Sequence, residues 1–83
     1  MIETEHILEK LHWKASQDNS HQSYLCEPHS EIEFKELVSH IRKHGYVVTI
    51  QGKSYVCLDI GEYLYWTMWD TAENTNLINR MHV

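Results

Sequence analysis

YVVTIQGKSYVCLDIGEYLYWTMW, residues 46–69, decides the fold. Three runs rich in β-branched and aromatic residues alternate with two short turns, one holding Gly52 and one holding Gly61. Gly45, Gly52 and Gly61 are the three glycines of the chain, and each falls between runs instead of within one. Such runs joined by tight glycine turns predict a three-stranded antiparallel meander over residues 46–51, 53–60 and 63–69.

Successive strand residues point to opposite faces. In the last run Leu64, Trp66 and Met68 share one side, and Tyr63, Tyr65, Thr67 and Trp69 share the other. In the middle run Val56, Leu58 and Ile60 oppose Tyr55, Cys57 and Asp59. The turn at Gly61-Glu62 decides which sets combine. An odd-length loop places Leu64, Trp66 and Met68 with the aliphatic set. A two-residue loop pairs Ile60 with Tyr63 and combines them the other way. Under either choice both faces of the sheet carry large side chains.

One of those faces has an evident cover. Ser30-Glu31-Ile32-Glu33 has the form of a capping box, in which the serine accepts from the N3 amide and the glutamate reaches back. Phe34, Leu37, Val38 and Ile41 follow at i, i+3, i+4 and i+7, the stripe of an amphipathic helix. Glu31 and Glu33 suit the positive end of its dipole, and Arg42, Lys43 and His44 the negative end. The spacing predicts a helix over 31–44, with Gly45 as a left-handed C′ residue.

The flanks are less regular. TEHILEKL, residues 4–11, reads as a short helix with Thr4 as N-cap and Ile7, Leu8 and Leu11 on one face. Residues 12–15 fit either an extension of that helix or a short strand with Trp13 and Ala15 on one side. SQDNSHQS, residues 16–23, is turn chemistry, and Tyr24-Leu25-Cys26 is a short apolar run closed by Pro28. After the aromatic run, Asp70-Thr71-Ala72-Glu73 resembles a second capping box. Leu77, Ile78 and Met81 would then stripe a C-terminal helix, against which Asn74, Asn76 and Asn79 argue for an irregular segment. The expected fold is therefore a single α+β domain over residues 1–83. It comprises the meander, the 31–44 helix on one face, a short N-terminal helix, and a helical or irregular C-terminal segment.

Composition narrows the function. The chain has 83 residues, so its core is modest. Its apolar content includes three Trp, five Tyr and one Phe. The net charge is −5 and the one compact basic group is Arg42-Lys43, which disfavours nucleic-acid polymers and acidic membranes as partners. No apolar run approaches the ~20 residues of a membrane span. The N-terminal stretch is charged from Glu3 onward, unlike a signal peptide, so a cytoplasmic location is the expectation. Cys26 and Cys57 make neither a CxxC motif nor a disulfide framework.

Catalytic and metal chemistry find little support. Cys26-x2-His29 with His40-x3-His44 has the ligand types of a zinc site. Yet a helix starting near residue 31 carries His40 about 15 Å along its axis, too far for a shared ion. The candidates His40, His44 and Cys26 are thus expected to hold no metal. Cys57 lies between valine and leucine as an apolar filler, and Cys26 has Glu27 beside it, which opposes a thiolate. No GxSxG, HExxH or glycine-rich phosphate loop occurs.

The remaining signal is aromatic. Three aromatics on an uncovered face would exceed the ~300–600 Å² patch usual for a monomer. The residues singled out are Tyr55, Asp59, Tyr63, Tyr65, Trp66 and Trp69. The expected function is non-catalytic, that of a small interaction or regulatory protein with no cofactor. It would associate with itself as a homodimer, or with another protein, through the sheet face or edge. The alternative is a binder of a small planar ligand such as a nucleotide, with Tyr55, Tyr63, Tyr65 and Trp69 as walls and Asp59 as anchor. A small enzyme of unspecified reaction ranks third. Stacking platforms for nucleic acid also need cations, and Lys53 is the one basic residue of the meander.

The chain also carries seven histidines, enough on protonation to erase its negative charge. Light scattering is expected to rise as the pH falls from about 8 to about 5.5, through the imidazole range. A flat trace would exclude that effect.

Overall fold

The computed structural model of the chain describes residues 3–27, 29, 31–69 and 77–83. Its elements run in the order α1 (Glu3–Glu9), β1 (Lys14–Ala15), β2 (Gln22–Leu25), α2 (Glu31–His44), β3 (Tyr46–Ile50), β4 (Lys53–Ile60), β5 (Tyr63–Met68) and β6 (Leu77–His82). The class is α+β, and the meander forms as β3, β4 and β5.

The sheet is larger than the meander alone. It has six strands in the order β1-β2-β6-β5-β4-β3, with every neighbouring pair antiparallel. The two tight turns follow their glycines. Gln51 and Gly52 both have positive φ, 52° and 79°, as a two-residue type I′ turn requires. Gly61 has φ 60° at the first position of the β4–β5 turn, which suits type II′.

Three expectations are corrected. Residues 77–82 form a strand, not a helix, lying between β5 and β2. The apolar spacing of Leu77, Ile78 and Met81 fits a helical stripe, but alternation wins once two open strand edges are available on either side. Ile78 then points into the core while Leu77 and Met81 point away from it. Thr4 lies inside α1, not at its cap. Gly45 is not left-handed. It is needed for close approach: a Cβ there would sit 2.6 Å from the Ile41 carbonyl oxygen and nearer still to that of Cys57. The chain thus passes from α2 into β3 against the backbone of β4. The capping boxes read at Ser30 and Asp70, and the stop at Pro28, lie outside the described residues.

Both helices cover the same side of the sheet. Phe34, Leu37, Val38 and Ile41 of α2 are buried as the stripe requires, and Leu8 of α1 joins them. Against them pack Tyr24, Val56, Leu58, Tyr65 and Ile78 from four strands. Trp13 closes the corner, its indole Nε1 donating to the Leu8 carbonyl at 2.8 Å. Arg42 at the end of α2 donates to the Met68 carbonyl at 2.8 Å, tying the helix to β5. Glu5 and His40 link α1 to α2 at 3.4 Å.

The contact at Gly45 yields a test. Gly45→Ala and Gly45→Asn should both destabilise the fold by ~1–3 kcal/mol through overpacking. The reading is a lower urea midpoint at unchanged slope. A left-handed cap would tolerate asparagine better than alanine, so an Asn variant near wild type would contradict the close approach.

Candidate functional site

The turn at Gly61-Glu62 has two residues and pairs Ile60 with Tyr63. That register places Tyr63, Tyr65 and Thr67 on the helix side with Val56, Leu58 and Ile60. It places Leu64, Trp66 and Met68 with Tyr55, Cys57 and Asp59 on the opposite side. Of the residues singled out from sequence, Tyr55, Asp59 and Trp66 therefore share the open face. Tyr63 and Tyr65 do not join them, and Tyr65 is only 1% exposed within the core. Trp69 follows the end of β5 and is 44% exposed, its amide donating to the Ser54 carbonyl at 3.1 Å. The six residues thus line no common groove.

The open face continues across the sheet. Register adds Tyr46, Val48 and Ile50 from β3, Leu77 and Met81 from β6, and Leu25 from β2. Tyr46 is 50% and Ile50 58% exposed. Trp66, Leu64, Met68 and Tyr55 are half-buried, since side chains standing side by side shield one another's flanks. No helix among the described residues packs on this side, because α2 meets β4 and β5 from the other side and α1 meets α2. The polar groups of the face are largely engaged with each other. The Tyr46 hydroxyl donates to Asp59 Oδ2 at 3.0 Å, which pushes the phenol pKa up. Ser23 Oγ donates to Asn79 Oδ1 at 2.6 Å, and the His21 ring lies 5.9 Å from that of Trp66.

A second constellation lies on the helix side, and it centres on Arg80, which the sequence did not flag. Arg80 is 7% exposed. Its register neighbours are Tyr65 on β5 and Gln22 on β2. The guanidinium carbon lies 4.0 Å from the Tyr63 ring centroid and 4.5 Å from that of Trp13. Nε donates to Gln22 Oε1 at 2.6 Å, and Nη1 to the Tyr65 hydroxyl at a long 3.5 Å. Burial pushes the Tyr65 phenol pKa up, with Arg80 opposing, so the phenol stays neutral. The available signal was weak: in strand alternation Arg80 falls on the side of Ile78.

The turn before β2 is held as a unit. Ser16 Oγ donates to Asp18 Oδ1 at 2.9 Å, and the Ser20 amide to the same oxygen at 3.1 Å. Hydrogen bonds from Ser20, then Ser16, hold the Asp18 carboxyl at about 2. Asn19 takes the left-handed conformation, φ 59°, that this turn needs.

The cysteines and helical histidines form no joint site. The rings of His40 and His44 lie 4.6 Å apart between centroids, tilted by 48°, one helical turn apart. Cys26 follows β2 and donates to the Glu27 carbonyl at 3.5 Å. Burial, followed by Glu31 and Glu27, pushes the Cys26 thiol pKa up, and burial followed by Asp59 does the same for Cys57. Neither environment favours a thiolate nucleophile. Among the described residues no group of three or more His, Cys, Asp or Glu side chains could hold a metal ion. Among the same residues no helix is long and apolar enough to cross a membrane.

Comparison with protein-family models, with curated proteins and with solved structures returns no match.

The split of the aromatics is testable by stability. Tyr65→Ala should cost ~3–5 kcal/mol, the range for a fully buried aromatic. Trp69→Ala should change stability by well under ~1 kcal/mol, as at exposed sites generally. Equal losses in denaturant titrations would mean the two aromatics are equally buried.

Proposed function

We propose that the chain is a non-catalytic interaction or regulatory protein acting as a homodimer, with the open sheet face as its interface. The observation that supports this is the row of Tyr46, Ile50, Tyr55, Trp66 and Met81, on the side of the sheet that no helix among the described residues covers. Burying such a surface is favourable at ~25 cal/mol per Å² of apolar area. Aromatics and methionine are also the residue types enriched at interface cores.

Area is consistent with a second copy as the occupant. Six strands ~4.8 Å apart, from two to eight residues long at ~3.4 Å per residue, present roughly 500 Å² in projection. Side chains roughen that plane, bringing it toward the ~800 Å² per partner of a stable interface. Charge is consistent too. The whole chain carries −5, which would repel a copy of itself. The open face instead bears Lys14 and Lys53 at its margins against Asp59, so both signs are present for pairing. The outer edge of β3, YVVTI, has neither charge nor proline to block strand addition, and it borders the same face. The planar-ligand alternative loses its basis, since its proposed walls stand on opposite sides of the sheet.

Sedimentation equilibrium should give twice the chain mass of 9.9 kDa. Trp66→Lys should return a folded monomer by placing a charge in the interface. A monomeric wild type at ~100 µM, the concentration at which micromolar association is evident, refutes the proposal.

A further inference from the structure

We propose that the cleft beside Arg80 binds a small oxyanion, a carboxylate or a phosphate group, with the Arg80 guanidinium as its anchor. The cleft has a volume of about 260 Å³ and is lined by Ser20, His21, Gln22, Tyr63, Arg80 and His82, among others. It lies at the end of the sheet beside the 16–21 turn, where Met81 of the open face also lines it.

The first support is an unbalanced charge. A cation taken out of water costs several kcal/mol unless an anion compensates it. Arg80 is buried, yet neither of the two ion pairs among the described residues involves it. Glu62 is engaged by His82 at 2.8 Å and Glu5 by His40, and Glu9, whose charge reaches the Tyr65 phenol, makes no ion pair with Arg80. The groups that bond Arg80, Gln22 and Tyr65, are neutral. Two aromatic faces repay part of the desolvation, but cation–π contacts supply only ~0.5–2 kcal/mol each. An apolar side chain at this position would complete the core beside Ile78 at lower cost.

The second support is geometric. The rings of Trp13 and Tyr63 lie against the guanidinium, leaving its in-plane N–H groups to make its hydrogen bonds. Nε is taken by Gln22, and Nη1 makes one long bond to Tyr65. Nη2 has no protein partner among the described residues. A held guanidinium fork with free in-plane donors is the arrangement that matches carboxylate and phosphate oxygens. No aspartate or glutamate lines the cleft to compete for it. Its other polar walls can donate: the Gln22 oxygen is turned to Arg80, which leaves the amide NH₂ available, and His21 and Ser20 flank the opening. The volume lies below the ~300–1,000 Å³ of drug-sized ligand sites, which limits the occupant to a small anion or the anionic end of a larger molecule.

Nitrogen–proton NMR spectra of the whole chain, titrated separately with inorganic phosphate and with acetate at about 0.15 M salt, test this. At least one anion should give saturable shifts at Arg80 Nε–H and at the Gln22 side-chain amide. The anion that saturates at lower concentration identifies which group the site takes. Arg80→Lys keeps the charge but loses the planar fork, and should weaken the binding by about tenfold or more. The absence of saturable shifts with both anions in the wild type overturns the proposal whether or not the variant folds. Undiminished affinity in a folded Arg80→Lys chain overturns the role of the guanidinium.

Discussion

The two-residue turn at Gly61-Glu62 is the constraint on which the arrangement depends. It fixes the phase of β5 against β4, and in a strand a slip of one residue exchanges every side chain between faces. With Ile60 opposite Tyr63, the tyrosines of β5 enter the core and Trp66 leaves it. Gly61 makes this phase accessible because its φ of 60° is strained for residues with a Cβ. Tyr65 is thereby brought beneath α2, where it meets Trp13 at 5.7 Å between ring centroids and bonds Arg80 from β6.

That phase also explains how β6 can carry an arginine inward. A buried cation needs donors satisfied and its surface covered by polarisable groups. Tyr63 and Trp13 supply the rings, and Gln22 the acceptor. Each comes from a different part of the chain, so the site exists only after β6 has inserted between β2 and β5. Thr67, also buried, is satisfied in the same way: its hydroxyl donates to the Leu77 carbonyl at 2.9 Å. That hydrogen bond ties the start of β6 to β5.

The distribution of cover is equally consequential. Cover on one side of the sheet lets a chain of this length build one compact core, which among the described residues draws on two helices and six strands. The consequence is a second face, apolar along β3, β4 and β5, that no described helix reaches. Hydrophobic surface of this extent is an opportunity for association and a liability for solubility. Along its margins Lys14, Lys53 and Asp59 keep water at the border.

Local chemistry was legible from the residues alone. The stripe of Phe34, Leu37, Val38 and Ile41 made α2 readable to its ends, and the glycines at 52 and 61 marked both hairpins. These signals are local: a helix face or a two-residue turn is specified by residues within a few positions of one another. The presence of large side chains on both faces was readable too, because alternation within a strand is local. What only the tertiary structure decided was which side chains share a face, that 77–82 is a strand, and that Arg80 is buried. Register, edge-strand insertion and the stacking of Arg80 join residues tens of positions apart, so their free energies depend on partners that no short window of sequence contains.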